Sequence, residues 1–221
     1  DVYKRQPNYF PINVAMNKGI NKTFNDIVKS GIKPLNAIEF KSLSEKATVI
    51  DCRKPQEFAY SHVPNSLFIG IDGGFAPWAA SVMKKLDERV LLLVEEGREH
   101  EAVTRLARVG IDNTIGFLNG GIIAWENAGY KTETVHSIDA MQFESEINTA
   151  SNIIDVRNNG EYSNGHLTNS MFRPLDQIHQ NISEYQSETD YYIHCQGGYR
   201  SMIACSILKA NGCLLYTSPS P

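Results

Sequence analysis

Residues 49–66 read Val-Ile-Asp-Cys-Arg-Lys-Pro-Gln-Glu-Phe-Ala-Tyr-Ser-His-Val-Pro-Asn-Ser, and residues 153–170 read Ile-Ile-Asp-Val-Arg-Asn-Asn-Gly-Glu-Tyr-Ser-Asn-Gly-His-Leu-Thr-Asn-Ser. Asp51 pairs with Asp155, Arg53 with Arg157, Glu57 with Glu161, His62 with His166 and Ser66 with Ser170, all at one offset of 104 (155 minus 51). Five polar matches in a single register make the chain two copies of one unit. Phe40 and Phe143 each follow a short amphipathic helical pattern at nearly the same offset. The copies join around Lys131 to Ser137.

Working outward, Thr48–Cys52 and Asn152–Val156 are short β-branched runs, the pattern of buried strands. Glu57–Tyr60 and Glu161–Ser163 suit a single helical turn, and Phe75–Leu86 has apolar residues at helical spacing. Val90–Val94 and Tyr191–His194 are again strand-like, whereas His100–Val109 and Ser201–Ala210 are helical. Copy one closes with a strand at Ile115–Leu118, a Gly120-Gly121 turn and a helix through Trp125. Strands alternating with helices predict an α/β fold, each copy a parallel sheet flanked by helices on both faces. No counterpart of that last strand, turn and helix is recognisable after Gly212, so the second copy is expected to be truncated at its C-terminal end.

The 221 residues suffice for two small domains. With 42% apolar and 21% charged residues the composition is globular. A net charge of −4 with no basic stripe argues against nucleic acid as a partner. The apolar runs, such as Val90 to Val94, are too short for a membrane span. Cys52, Cys195, Cys205 and Cys213 form no CxxC pair, which fits a reducing, cytoplasmic setting. Residues 1–6 and 213–221 read as adapter-derived scars, so the chain is expected to be a piece of a longer one. The expected layout is then a linker at 7–33, a first domain at 34–132 and a second at 136–212.

The chemistry concentrates in Tyr191-Tyr192-Ile193-His194-Cys195-Gln196-Gly197-Gly198-Tyr199-Arg200-Ser201. An apolar strand delivers Cys195 at its carboxyl end, and a helix begins near Ser201. Two glycines let the backbone curl so that several amides point inward as an anion nest, and the helix N-terminus adds partial positive charge. Such a cradle is expected to lower the pKa of Cys195 and favour its thiolate. Arg200 adds a permanent cation. A buried structural cysteine is the alternative. The matching stretch of copy one, Val94-Glu95-Glu96-Gly97-Arg98-Glu99-His100, has no cysteine and several acids, so that copy is expected to be inactive. Cys205 shares an apolar helix face with Met202 and Leu208 and is read as core. Tyr199 is read as a wall of the pocket or as a loop tip. His194 is read as packing or hydrogen-bonding at the strand end rather than acting as a base. No cluster has metal-ligand spacing.

These motifs resemble those of tandem rhodanese domains, over about residues 36–212. The resemblance is carried by Asp-x-Arg with a following Glu and His (Asp155, Arg157, Glu161, His166), by the Cys195-x4-Arg200 loop, and by Gly120-Gly121-x-x-Ala124-Trp125 in copy one. It implies a sulfurtransferase in which Cys195 carries a sulfane sulfur as a persulfide from a small donor to a thiol acceptor. Cys195 and Arg200 are then catalytic, with Gln196, Gly197, Gly198, Tyr199 and Ser201 forming the substrate-binding loop. Asp155, Arg157, Glu161 and His166 support it, with an acid expected to pair Arg200. Because the inactive copy shares this last set, a structural role competes. A cysteine-dependent phosphatase has a loop one residue longer and is the alternative enzyme; a non-catalytic interaction module is the other. Residues 8–19 resemble the exit segment of a metallo-β-lactamase-fold domain. That resemblance implies a fused persulfide-dioxygenase-like domain holding iron or zinc, with no cofactor in the present chain.

Overall fold

The backbone hydrogen-bonding groups of β4 (Val90–Leu93) are satisfied by neighbours on both edges, and all four of its side chains are fully buried. A Val-Leu-Leu-Leu run suits that position because both faces of a parallel sheet are covered. The computed structural model describes residues 23–148, 151–187 and 189–217. Among these, the first sheet also contains β1 (Pro34–Leu35), β2 (Thr48–Asp51), β3 (Leu67–Phe68) and β5 (Thr114–Leu118), in the order β1-β5-β4-β2-β3. The helices on the way are α1 (Phe24–Gly31), α2 (Ala37–Ser44), α3 (Pro55–Tyr60), α4 (Phe75–Val82), α5 (Glu99–Ala107) and α6 (Gly121–Asn127).

The second sheet repeats this order with β6 (His136–Ser137), β7 (Asn152–Asp155), β8 (Met171–Phe172), β9 (Asp190–His194) and β10 (Leu214–Thr217), arranged β6-β10-β9-β7-β8 and parallel throughout. Its helices are α7 (Ala140–Glu146), α8 (Asn159–Ser163), α9 (Ile178–Asn181) and α10 (Tyr199–Lys209). By packing, the described residues form two compact units: 23–52 with Gly74–Gly129, and Arg53–Gly73 with those between 130 and 217.

β10 corrects the expectation that no strand follows Gly212. Leu214–Thr217 lies between β9 and β6, registering Leu214 with Asp190 and Tyr216 with His136. Without it those two strands would each leave a row of backbone donors and acceptors unpaired. A Gly-Gly turn and helix like those closing the first copy have no counterpart among the described residues. Residues 1–22, which include the segment 8–19, and residues 218–221 lie outside the described residues. Among the described residues no helix is long and apolar enough to cross a membrane.

Candidate active site

The carboxyl edge of a parallel sheet gathers loop residues, and in the second sheet β7 and β9 bring Asp155 beside His194 in register there. Cys195 follows directly. Gly198 takes a left-handed backbone (φ 76°) that turns the chain into α10, so the helix starts at Tyr199, two residues earlier than the sequence suggests. Ser201 thereby becomes the third helical residue. Its N–H has no partner within the helix and points at the Cys195 sulfur, 3.4 Å away. The thiol in turn donates to Ser201 Oγ at 3.6 Å, and that hydroxyl donates to the Gly198 carbonyl at 3.0 Å. The side chain is only 2% exposed. Where several inward amides were expected, Ser201 is the sulfur's amide partner among the described residues.

Arg200 closes the loop through two parallel hydrogen bonds to Glu161, Nη1 to Oε2 and Nη2 to Oε1, both 2.6 Å. Glu161 is thus the expected acidic partner. The Arg200 hydrogen bond pulls the Glu161 carboxyl down to about 2. In return, Glu161 first and the nearby Cys195 further raise the basicity of Arg200, against the cost of burial. Glu161 also accepts the Asn158 N–H at the start of α8, so its position is set from both sides.

Asp155 is fully buried and binds Arg157, whose Nη2 sits 2.6 Å from Oδ2 and whose Nε lies 3.0 Å from both carboxylate oxygens. Arg157 also donates to the Gly165 carbonyl at 2.8 Å. His166 hydrogen-bonds through Nδ1 to the Tyr162 carbonyl and stacks on the Tyr162 ring at 3.8 Å. The first copy repeats the contacts of the arginine with a backbone carbonyl and of the histidine with its aromatic neighbour. Arg53 donates to the Ser61 carbonyl at 2.7 Å, and His62 bonds the Phe58 carbonyl and stacks on Phe58 at 3.9 Å. Asn65 and Asn169 share the same left-handed turn, φ 62° and 66°. Arg157 and His166 therefore hold a corner of the fold common to both copies, and Glu161 is the member of the set that reaches the loop.

Of the two expected roles, His194 takes the packing one at the strand end, its ring 6.3 Å from that of Phe143. Its Nε2 is buried, 3.7 Å from Asp155 Oδ2, and finds no hydrogen-bond partner. Burial lowers its pKa, with Asp155 opposing. Tyr199 departs from the expected pocket wall. Its hydroxyl donates to the Gly70 carbonyl at 2.7 Å and its ring meets Phe68 edge-on at 5.8 Å, because the segment 68–73 of the same unit offers it an apolar seat. Gln196 and Gly197 are exposed. Cys205 is fully buried among the core residues of α10. Among the described residues no group of His, Cys, Asp and Glu could hold a metal ion.

A cavity of about 610 Å³ opens beside Cys195, a feature the sequence reading missed. Ala140, Phe143 and Ile147 of α7 and its following residue wall one side, at the helical spacing that could have revealed it. Leu167, His194 and Gln196 contribute further wall.

In the first unit the corresponding loop runs from Val94 to Arg98 without a cysteine. The Gly97 N–H donates to the Glu99 carboxylate at 3.1 Å, and Arg98 is held by Glu101 at 3.0 Å.

The Rhodanese-like domain family matches this chain twice, over residues 36–128 and 139–217. Among curated proteins, the uncharacterized YqhL of Bacillus subtilis (strain 168) is 36% identical over 61 residues, 28% of this chain and 48% of that protein. YrkF of the same organism, named as a candidate sulfur carrier, is 30% identical over 93 residues, 42% of this chain and 49% of that protein. The chain spans about half the length of these curated relatives. Among solved structures, a thiosulfate sulfurtransferase from Pseudomonas aeruginosa is 21% identical with a TM-score of 0.40, covering 85% of this chain and 43% of the other. Neither the family match nor the described residues extend to the segment 8–19. With four of the five strands of each sheet inside the two matched regions, the chain belongs to the rhodanese-like domain family and carries two such domains in tandem.

Proposed function

We propose that the chain is a sulfurtransferase in which Cys195 carries sulfane sulfur. The Cys195 thiolate attacks the outer sulfur of a donor, the donor's sulfur–sulfur bond breaks toward its leaving group, and Cys195 is left as a persulfide. A thiol acceptor then takes that sulfur and restores the thiolate. The Ser201 N–H stabilises negative charge on Cys195 Sγ, and Arg200, fixed by Glu161, supplies positive charge beside it. This chemistry calls for no cofactor and for a reduced cysteine, which suits a cytoplasmic setting. The first domain serves as a non-catalytic partner within the chain.

The observation that carries this reading is the seat of Cys195: a four-residue loop closed by Arg200, with the sulfur 3.4 Å from a helix N-terminal amide. The test is intact-protein mass spectrometry after exposure to thiosulfate or sodium polysulfide. One added sulfur is expected on Cys195 and none in Cys195→Ser. A folded protein that stays unmodified would make the chain an interaction module. Turnover of an aryl phosphate would instead favour the phosphatase.

A further inference from the structure

The cavity beside Cys195 is large for an inorganic sulfur donor. Its roughly 610 Å³ would hold about twenty waters of liquid, and it falls within the size range of pockets for organic small molecules. Its walls are also wrong for a small dianion. Ala140, Phe143 and Ile147 present an apolar stripe from α7, and Leu167 faces it while remaining 39% exposed. Arg157 lines the cavity, but its guanidinium is committed to Asp155 and to the Gly165 carbonyl. Glu144 adds a negative charge.

We propose that this groove takes an organic thiol whose apolar body lies along Phe143, Ile147 and Leu167 while its sulfur meets Cys195. The inference rests on the sulfurtransferase reading and narrows its thiol acceptor to one with an apolar body. In the transfer step the acceptor thiol first loses its proton to water. Its thiolate attacks the outer sulfur of the protonated Cys195 persulfide, and a new sulfur–sulfur bond forms. The bond to Cys195 breaks with its electron pair returning to Sγ. The acceptor departs as R–S–SH and Cys195 is again a thiolate, so no oxidant or reductant is required.

The test uses the full chain, loaded with sodium polysulfide and freed of excess reagent. Loading is measured by mass before any acceptor is added. Discharge is then timed with a series of ω-mercaptoalkanols whose thiols are alike but whose alkyl chains lengthen from about two to six carbons. Each methylene that enters the groove should raise the second-order rate constant by up to about fourfold, so the longest member should outrun the shortest by at least about tenfold. Leu167→Asp, at an exposed position, should flatten this ratio. Phe143→Ala should flatten it as well. Because the readout is a ratio within each variant, incomplete loading cancels. A ratio near one in the unaltered chain would overturn the proposal, as would a ratio that both variants keep. Fast discharge to a cysteine-containing peptide, with indifference to alkyl length, would overturn it in favour of a polypeptide acceptor. If Cys195 takes up no sulfur at all, the sulfurtransferase reading fails first and this inference falls with it.

Discussion

Replacing Glu161 with Gln keeps the side chain's size and removes the charge that clamps Arg200. In the folded protein the Glu161 carboxyl is pulled from the usual 4.5 to about 2, chiefly by the Arg200 hydrogen bond. At about 1.4 kcal/mol per tenfold change in proton affinity, this corresponds to a ceiling of about 3 kcal/mol. The Glu161 side chain is 24% exposed, so solvent screening reduces the net to roughly 2 kcal/mol. Because the folded-state value is depressed, that stability is fully present above pH 4.5. It is lost as pH falls toward 2. Spectroscopy can separate the two units. Both tryptophans, Trp78 and Trp125, belong to the first, whereas the described tyrosines belong to the second. Denaturant unfolding of Glu161→Gln at pH 7 should therefore weaken the transition seen by tyrosine near-ultraviolet circular dichroism by about 2 kcal/mol. The variant should also lose the share of acid sensitivity between pH 4.5 and 2 that the Glu161–Arg200 pair is expected to confer. Persulfide formation on Cys195 should slow, because Arg200 no longer stays beside the sulfur. An unchanged tyrosine transition together with an unchanged acid limb would refute the clamp.

A methyl group added at Gly73 would sit 2.4 Å from the Tyr199 ring. Gly73→Ala should therefore destabilise the second unit by about 1–3 kcal/mol in denaturant unfolding. The double variant Gly73→Ala/Tyr199→Ala should cost less than the two single changes added together. His62 is 1% exposed, and burial holds its pKa down to about 4 from the usual 6.5. The neutral form is the folded form, so the second unit should lose stability as pH falls from 6.5 toward 4, and His62→Gln should remove that dependence in the same assay.

The duplication was legible because five polar residues recur in one register, and the structure shows why they recur. Arg53 and Arg157, and His62 and His166, close the same corner with the same backbone acceptors. The strand–loop–helix around Cys195 was legible for a similar reason: its glycines and apolar flanks act locally. Tyr199 was not, because its seat at Gly70 lies 129 residues away in the chain and no local pattern marks it. β10 was missed because Leu214–Thr217 reads as foreign sequence, while its place is dictated by two strands that need a neighbour. The cavity was missed because Phe143 served only as a marker of the repeat. Its helical companions Ala140 and Ile147 acquire meaning once α7 is set against the loop.

In the loop of the first domain that has no cysteine, the Glu99 carboxylate already holds the Gly97 amide. A thiol grafted into that loop would inherit an amide already occupied and a negative neighbour opposed to its ionisation. Building a sulfur site there is thus an ordered task. The acid has to leave before a sulfur can be of use, so a single substitution would equip the loop poorly.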